Sequence, residues 1–149
     1  MRTADIEGVS SFLDWREFES FARLAFESFG YETLQNYLLR KPKMEIDILA
    51  FRGKFAFAVD CKHWKRTVGQ AAMLSIAAKQ IDRSLRLLES YDRVIPLVLT
   101  WHDEMLYVLE NGVPVVPVCR LADFLLNWES SGDDILVLRS DKDRLGGHT

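Results

Sequence analysis

The spacing of polar and apolar positions changes several times along this chain, and each change marks an element. Over residues 15–29, Trp15, Phe18, Ala22, Ala25, Phe26 and Phe29 recur at helical intervals and form one apolar stripe. Asp14 is placed to cap this helix, and Gly30 to end it from the C′ position. Residues 31–39 read as a strand and 40–43 as a loop. A second helix is expected over 68–90, with Met73, Ala77, Ile81, Leu85 and Leu88 as its buried stripe. Residues 94–100 read as a buried strand whose early proline, Pro96, suits a strand start or an edge. Short strands at 105–109 and 113–118 flank Asn111-Gly112, and 121–128 reads as a short helix, with Tyr107 and Trp128 in the core. Residues 1–138 are then one domain and 139–149 a flexible tail. The order is helix, three strands, helix, strand, then a C-terminal β/α annex. It predicts an α/β fold with a mixed central sheet flanked by helices.

Between loop and second helix, the pattern of residues 45–62 departs from that of an ordinary core hairpin. Two apolar strands meet at a turn expected at Arg52-Gly53, yet they carry Glu45, Asp47, Asp60 and Lys62. A two-residue turn there pairs Phe51 with Lys54, Asp47 with Ala58 and Glu45 with Asp60. Residues of one strand alternate between faces, so Glu45, Asp47, Asp60 and Lys62 fall on one face. Asp47 becomes a diagonal neighbour of Asp60, with β-carbons roughly 7–8 Å apart. The other face of the second strand, Phe55, Phe57, Val59 and Cys61, is plain core. Charges persist in apolar strands when they are paired or bind a metal, because an unpartnered buried charge is costly.

Composition sharpens the picture in three respects. The chain has 149 residues, 48% of them hydrophobic and 28% charged, which suits one folded core and is short for two. No apolar run approaches the roughly 18 residues of a membrane helix, and MRTADIE lacks an apolar signal core. Cys61 and Cys119 stand alone, forming neither a disulfide framework nor a zinc motif, so a cytoplasmic location is expected. Net charge is −3, but residues 40–66 hold eight Lys/Arg against three acids. That segment is +5, which leaves −8 elsewhere. A basic segment around embedded carboxylates suits a polyanionic substrate.

Two aspartates and a main-chain carbonyl, for which Cys61 is well placed, form half a shell for a hard cation such as Mg²⁺ or Mn²⁺. Lys62 lies two residues beyond Asp60 on the same face, positioned to hold a water or to stabilise developing phosphorane charge. Metal-activated water beside a fixed cation is equipment for phosphodiester hydrolysis.

Asp47, followed after an apolar strand by Asp60-Cys61-Lys62, resembles the signature of the PD-(D/E)xK nuclease superfamily. Phe18-Glu19, Gly30-Tyr31, Ile46-Asp47-Ile48-Leu49-Ala50 and Val59-Asp60-Cys61-Lys62 are similar to the pattern of Mrr-like restriction endonucleases and Holliday-junction resolvases. Ile46 stands where the motif's name places proline, and Asp60 where Mrr-like enzymes often carry Gln or Glu. The resemblance implies a restriction endonuclease-like αβββαβ core over about two thirds of the chain. It implies a Mg²⁺-dependent endonuclease on DNA, with Asp47 and Asp60 on the metal and Lys62 catalytic. It also makes Glu19, on the first helix, a third metal-associated acid, and brings Gln80 near the site. Lys43, His63, Trp64, Lys65, Arg66 and Gln80 are candidate nucleic-acid contacts. Trp64 could stack on a base; Arg83 and Arg86 could contact phosphate, and a solvated helix face explains them as well, while the Trp101–Glu104 connection reads as solvated surface. A homodimer would suit paired-strand cutting. The alternative is a nuclease fold that binds nucleic acid or a partner without cutting, and a plain structural ion pair of Lys62 is a third reading.

Overall fold

Helix α1 (Thr3–Ser28) leads into strands β1 (Glu32–Leu39), β2 (Met44–Arg52) and β3 (Phe55–Lys62). Helix α2 (Gln70–Arg86), prolonged by a 3-10 turn at Leu87–Glu89, returns the chain to β4 (Arg93–Thr100). Then come β5 (Tyr107–Val108), β6 (Pro114–Pro117), α3 (Leu121–Asn127), β7 (Leu138–Arg139) and α4 (Asp141–Gly146). This computed structural model describes residues 3–62, 68–101, 105–130 and 134–146, with side chains between Arg16 and Arg144 in those segments. The strands form one mixed sheet, β1-β2-β3-β4-β6-β5, with β7 also pairing with β4. The β3–β4 and β4–β6 pairs are parallel and the others antiparallel. The expected αβββαβ order is present, and α1 and α2 lie on opposite faces of the sheet.

Helix α1 starts at Thr3, so Asp14 lies within it and does not cap it. The preceding residues contain one glycine and no proline, and nothing in them interrupts a helix. It ends as expected. Gly30 has φ +87°, its N–H bonds to Glu27 O, and the Tyr31 N–H reaches back to Phe26 O. This is the paired closure of a Schellman motif. The stripe Phe18, Ala22 and Phe26 is fully buried, against Ile48, Ala50, Phe57, Val59 and Cys61 of the sheet and Phe124 of α3. Phe57 anchors this layer, its ring centroid 5.5 Å from that of Phe26 and 5.4 Å from that of Tyr31.

The buried face of α2 is turned from the expected one. Met73 and Ala77 point inward, but Gln80, Ser84 and then Leu87 continue the row, while Leu85 is 47% exposed. Ser84 Oγ donates to Gln80 O and Arg83 Nη1 to Gln80 Oε1, while the buried Gln80 Nε2 has no hydrogen-bond partner among the described residues. Arg86 is no free surface cation, because it bonds to the carbonyls of Arg40 and Pro42 and fastens α2 to the β1–β2 loop.

The C-terminal expectations change more. Tyr107 is 37% exposed, not core, because β5 is the edge strand of the sheet. Trp128 does pack against the core. Residues 138–146 are not a tail: Leu138 and Arg139 pair with Val94 and Arg93, and α4 follows. The Ser140 N–H bonds to Asp92 O, and Asp143 pairs with Arg93 and Arg139. Polar composition hid a segment held by backbone pairing and ion pairs.

Candidate active site

The β2–β3 turn is Gly53-Lys54, since Arg52 pairs with Phe55. Gly53 supplies the positive φ, +60°. Moving the turn by one residue slips every partner by two, which preserves the faces. Phe51 therefore faces Ala56 and Leu49 faces Ala58. The same register carried onward sets Asp47, not Glu45, across from Asp60, and Glu45 is exposed opposite Leu38 of β1.

That onward pairing is not made. The β2–β3 ladder ends at Ile48↔Val59, although β2 continues along β1 to Met44 and β3 continues along β4 to Thr100. The two strands fork, and Asp47 stands in the fork. Its Oδ2 accepts the Cys61 N–H at 2.8 Å, a donor that a regular ladder would give to a strand carbonyl. Strand β2 also turns over at this point. Ile46 packs with Leu49, Ala56 and Ala58 beneath α2, whereas Ile48 packs beneath α1, although residues two apart in a regular strand share a face. The neighbouring position on β1, Asn36, has φ +53° and interrupts the β1–β2 register between Gln35↔Ile48 and Tyr37↔Ile46. Asp47 thus occupies a break that lets it meet groups from both faces.

From the α2 side come Asp60 and Lys62. Asp60 is only 7% exposed. Its Oδ2 lies 3.3 Å from Lys62 Nζ, in ion-pair contact but without hydrogen-bond geometry, and has no hydrogen-bond partner among the described residues. Burial pushes the Asp60 carboxyl up to about 6; Lys62 opposes the rise and Asp47 adds to it. From the α1 side comes Glu19, whose pKa is also raised, first by burial and then by the charge of Asp47. Gln35 Nε2 donates to Glu19 Oε1 at 3.0 Å, and Arg23 Nη1 donates to Gln35 Oε1 at 2.9 Å. Cys61 turns its thiol into the apolar layer under α1, where burial raises its pKa well above the ordinary value.

Asp47, Asp60, Lys62 and Glu19 are therefore brought together. Gln80 is not a nucleic-acid contact of the ordinary kind, since it has no exposed surface. Lys43 is exposed in the β1–β2 loop, at the forked end of the sheet. His63, Trp64, Lys65 and Arg66 lie outside the described residues, as do His102, Asp103 and Glu104. Gln35 and Arg23 were the residues to add. Their signal is a row of charges at i, i+4 and i+8 on α1, Glu19, Arg23 and Glu27, opposite the polar pair Thr33 and Gln35 on β1.

The donor set fits a divalent cation on an observation of the site itself: a buried carboxylate oxygen without a hydrogen bond, beside a second carboxylate. Among the described residues no group of three His, Cys, Asp or Glu closes into a cage. A magnesium-type ion does not require one, because it uses one or two carboxylates and keeps several waters. No helix of the described residues is long and apolar enough to cross a membrane.

No curated protein matches the chain. Among solved structures, the crystal structure of the protein of unknown function AF1548 is similar at 23% identity and a TM-score of 0.45, over 56% of this chain. The match spans 46% of that protein's length. Residues 11–84, which contain Glu19, Asp47, Asp60 and Lys62, match the family model of the Mrr catalytic domain, described as a restriction endonuclease. This part of the chain belongs to the Mrr-type restriction endonuclease family, a PD-(D/E)xK-type nuclease family.

Proposed function

We propose that the β2–β3 fork is the active site of a metal-dependent endonuclease that hydrolyses phosphodiester bonds in DNA. The observation that carries this reading is the meeting of Asp47, Asp60 and Lys62 where the two strands separate. Asp47 and Asp60, with the Cys61 main-chain carbonyl, would hold Mg²⁺ or Mn²⁺. The bound ion supplies charge neutralisation at the phosphate and a more acidic water. Lys62, fixed beside Asp60 and partly exposed, presents its ammonium to the attacking water or to the phosphate oxygen on which charge develops. Glu19, held by Gln35, adds negative charge beside Asp47 and would support the cation from the α1 side.

The exposed cations Arg40, Lys41 and Lys43 stand in the loop at the forked end, suited to phosphate contacts along a bound strand. His63, Trp64, Lys65 and Arg66 follow β3 directly in the chain and would flank that strand. Two copies related by symmetry would cut paired strands.

The test is cleavage of a panel of DNA structures with Mg²⁺ or Mn²⁺. Asp60→Ala is expected to abolish turnover, and Lys62→Ala to lower it by on the order of 10²–10³ at unchanged fold. Robust cleavage by purified Asp60→Ala would overturn these roles. Salt-sensitive binding without divalent-dependent turnover would leave a non-cleaving nucleic-acid module.

A further inference from the structure

At the end of the sheet away from the fork, where β3 and β4 begin, the surface opens into a cavity of about 320 Å³. That lies at the lower end of the roughly 300–1,000 Å³ typical of small-molecule sites. One wall is aromatic and rigid. The rings of Phe55 and Trp128 are parallel within 2°, at 5.5 Å between centroids, and the Tyr31 ring lies 6.2 Å from Phe55. Trp128 lies against the Tyr31 hydroxyl, and the rings of the wall present flat carbon surface.

The mouth carries donors and acceptors that the fold leaves unused. Arg52 gives Nη1 to Phe29 O at 2.7 Å and lays its guanidinium 4.5 Å over the Tyr31 ring. Its plane is thereby fixed, while Nε and Nη2 have no partner among the described residues. Lys54 Nζ has one acceptor, Ser90 O at 3.3 Å, which leaves two of its three protons available. Across the opening, the Asp92 and Glu129 carboxylates have no hydrogen bond or ion pair among the described residues. Arg93, by contrast, is engaged by Asp143.

A flat face, two acceptors and two oriented cations together select a ligand with a planar ring, N–H donors and an anionic group. We propose that this cavity binds a nucleoside monophosphate, its base against the Phe55–Trp128 wall, its base N–H groups on Asp92 or Glu129, and its phosphate on Arg52 and Lys54. An apolar ligand would desolvate four charged groups and leave their remaining donors and acceptors unanswered. Inorganic phosphate would leave the aromatic wall uncovered. A planar guanidinium and an ammonium are a phosphate's usual partners. The site shares no residue with the fork, so it stands or falls separately from the nuclease reading.

The test is calorimetric titration of the whole chain, without divalent ions, with AMP, GMP, CMP and TMP beside adenosine and inorganic phosphate. At least one monophosphate should bind saturably, more than about tenfold tighter than adenosine or phosphate alone. Asp60→Asn should bind it unchanged. Lys54→Glu, an exposed turn residue whose replacement leaves the melting temperature in place, should weaken it at least about tenfold. Three results overturn the proposal: no saturable binding, phosphate binding as tightly as any nucleotide, or binding lost in Asp60→Asn but kept in Lys54→Glu.

Discussion

Asp60 is the residue on which the stability of the metal-free protein and the proposed chemistry pull in opposite directions. Its carboxyl is raised from the ordinary value to about 6, mainly because it is buried, with Lys62 opposing and Asp47 adding to the rise. A carboxyl whose folded pKa is raised holds its proton more tightly in the folded state. It therefore contributes stability that is complete below about pH 4 and is lost as pH rises through about 6. Glu19 is shifted the same way and adds to the same slope. Denaturant unfolding of metal-free protein between pH 4 and 8 should show this loss, and Asp60→Asn should flatten it. Above pH 7 the variant should be more stable by on the order of 2 kcal/mol. An unchanged slope in Asp60→Asn would show that the carboxyl is not protonated in the folded protein near pH 5. Two positions that the sequence hides also belong to this scale. Gln35 and Arg23 look like surface polar residues, yet they form the chain of bonds that holds Glu19 beside Asp47.

At the scale of elements, the forked hairpin depends on strands that are well paired everywhere else. The far edge of the sheet rests on one glycine. Gly112 has φ +90°, and a Cβ there would lie 2.9 Å from Leu136 Cβ and 3.1 Å from Leu136 N. Its carbonyl accepts the Leu136 N–H, and its N–H bonds to Leu109 O, so the β5–β6 connection cannot shift freely. Gly112→Ala should cost about 2–4 kcal/mol, combining left-handed backbone strain with overpacking. Chemical denaturation measures it, and a change below about 0.5 kcal/mol would mean the connection relaxes. Element order was legible in the sequence because each segment keeps one period, as Phe18, Ala22 and Phe26 do on α1. Facing on β3 was legible too: the turn moved from Arg52-Gly53 to Gly53-Lys54, but a two-residue slip leaves Asp60 and Lys62 on the face they were expected to share. The turnover at Asn36 and Asp47 was not legible, since neither glycine nor proline marks it. Nor was the phase of α2, because Gln80 and Ser84 take inward positions that an apolar count assigns to Ile81 and Leu85.

The whole molecule combines a net charge of −3 with two carboxylates forced together at the fork. Folding there brings Asp47 and Asp60 into mutual repulsion that one lysine offsets only in part. A cation bound between them removes that repulsion only in the folded state, so it must raise stability by mass action. At about 100 times its dissociation constant, Mn²⁺ should add about 2.7 kcal/mol, and the melting temperature should climb with its concentration. The proton held by Asp60 competes with the ion, which makes the gain larger at pH 7.5 than at pH 5.5. Asp60→Asn should abolish the Mn²⁺ response, whereas Lys54→Glu, at the opposite end of the sheet, should keep it in full. Thermal unfolding of the three proteins with and without Mn²⁺, at both pH values, separates these outcomes. An equal Mn²⁺ shift in wild type and Asp60→Asn would move the ion away from the fork. With a Mn²⁺ response that depends on Asp60, the two ends of β3 would serve two chemistries from one strand, a divalent cation where β3 parts from β2 and an anion where the turn begins it.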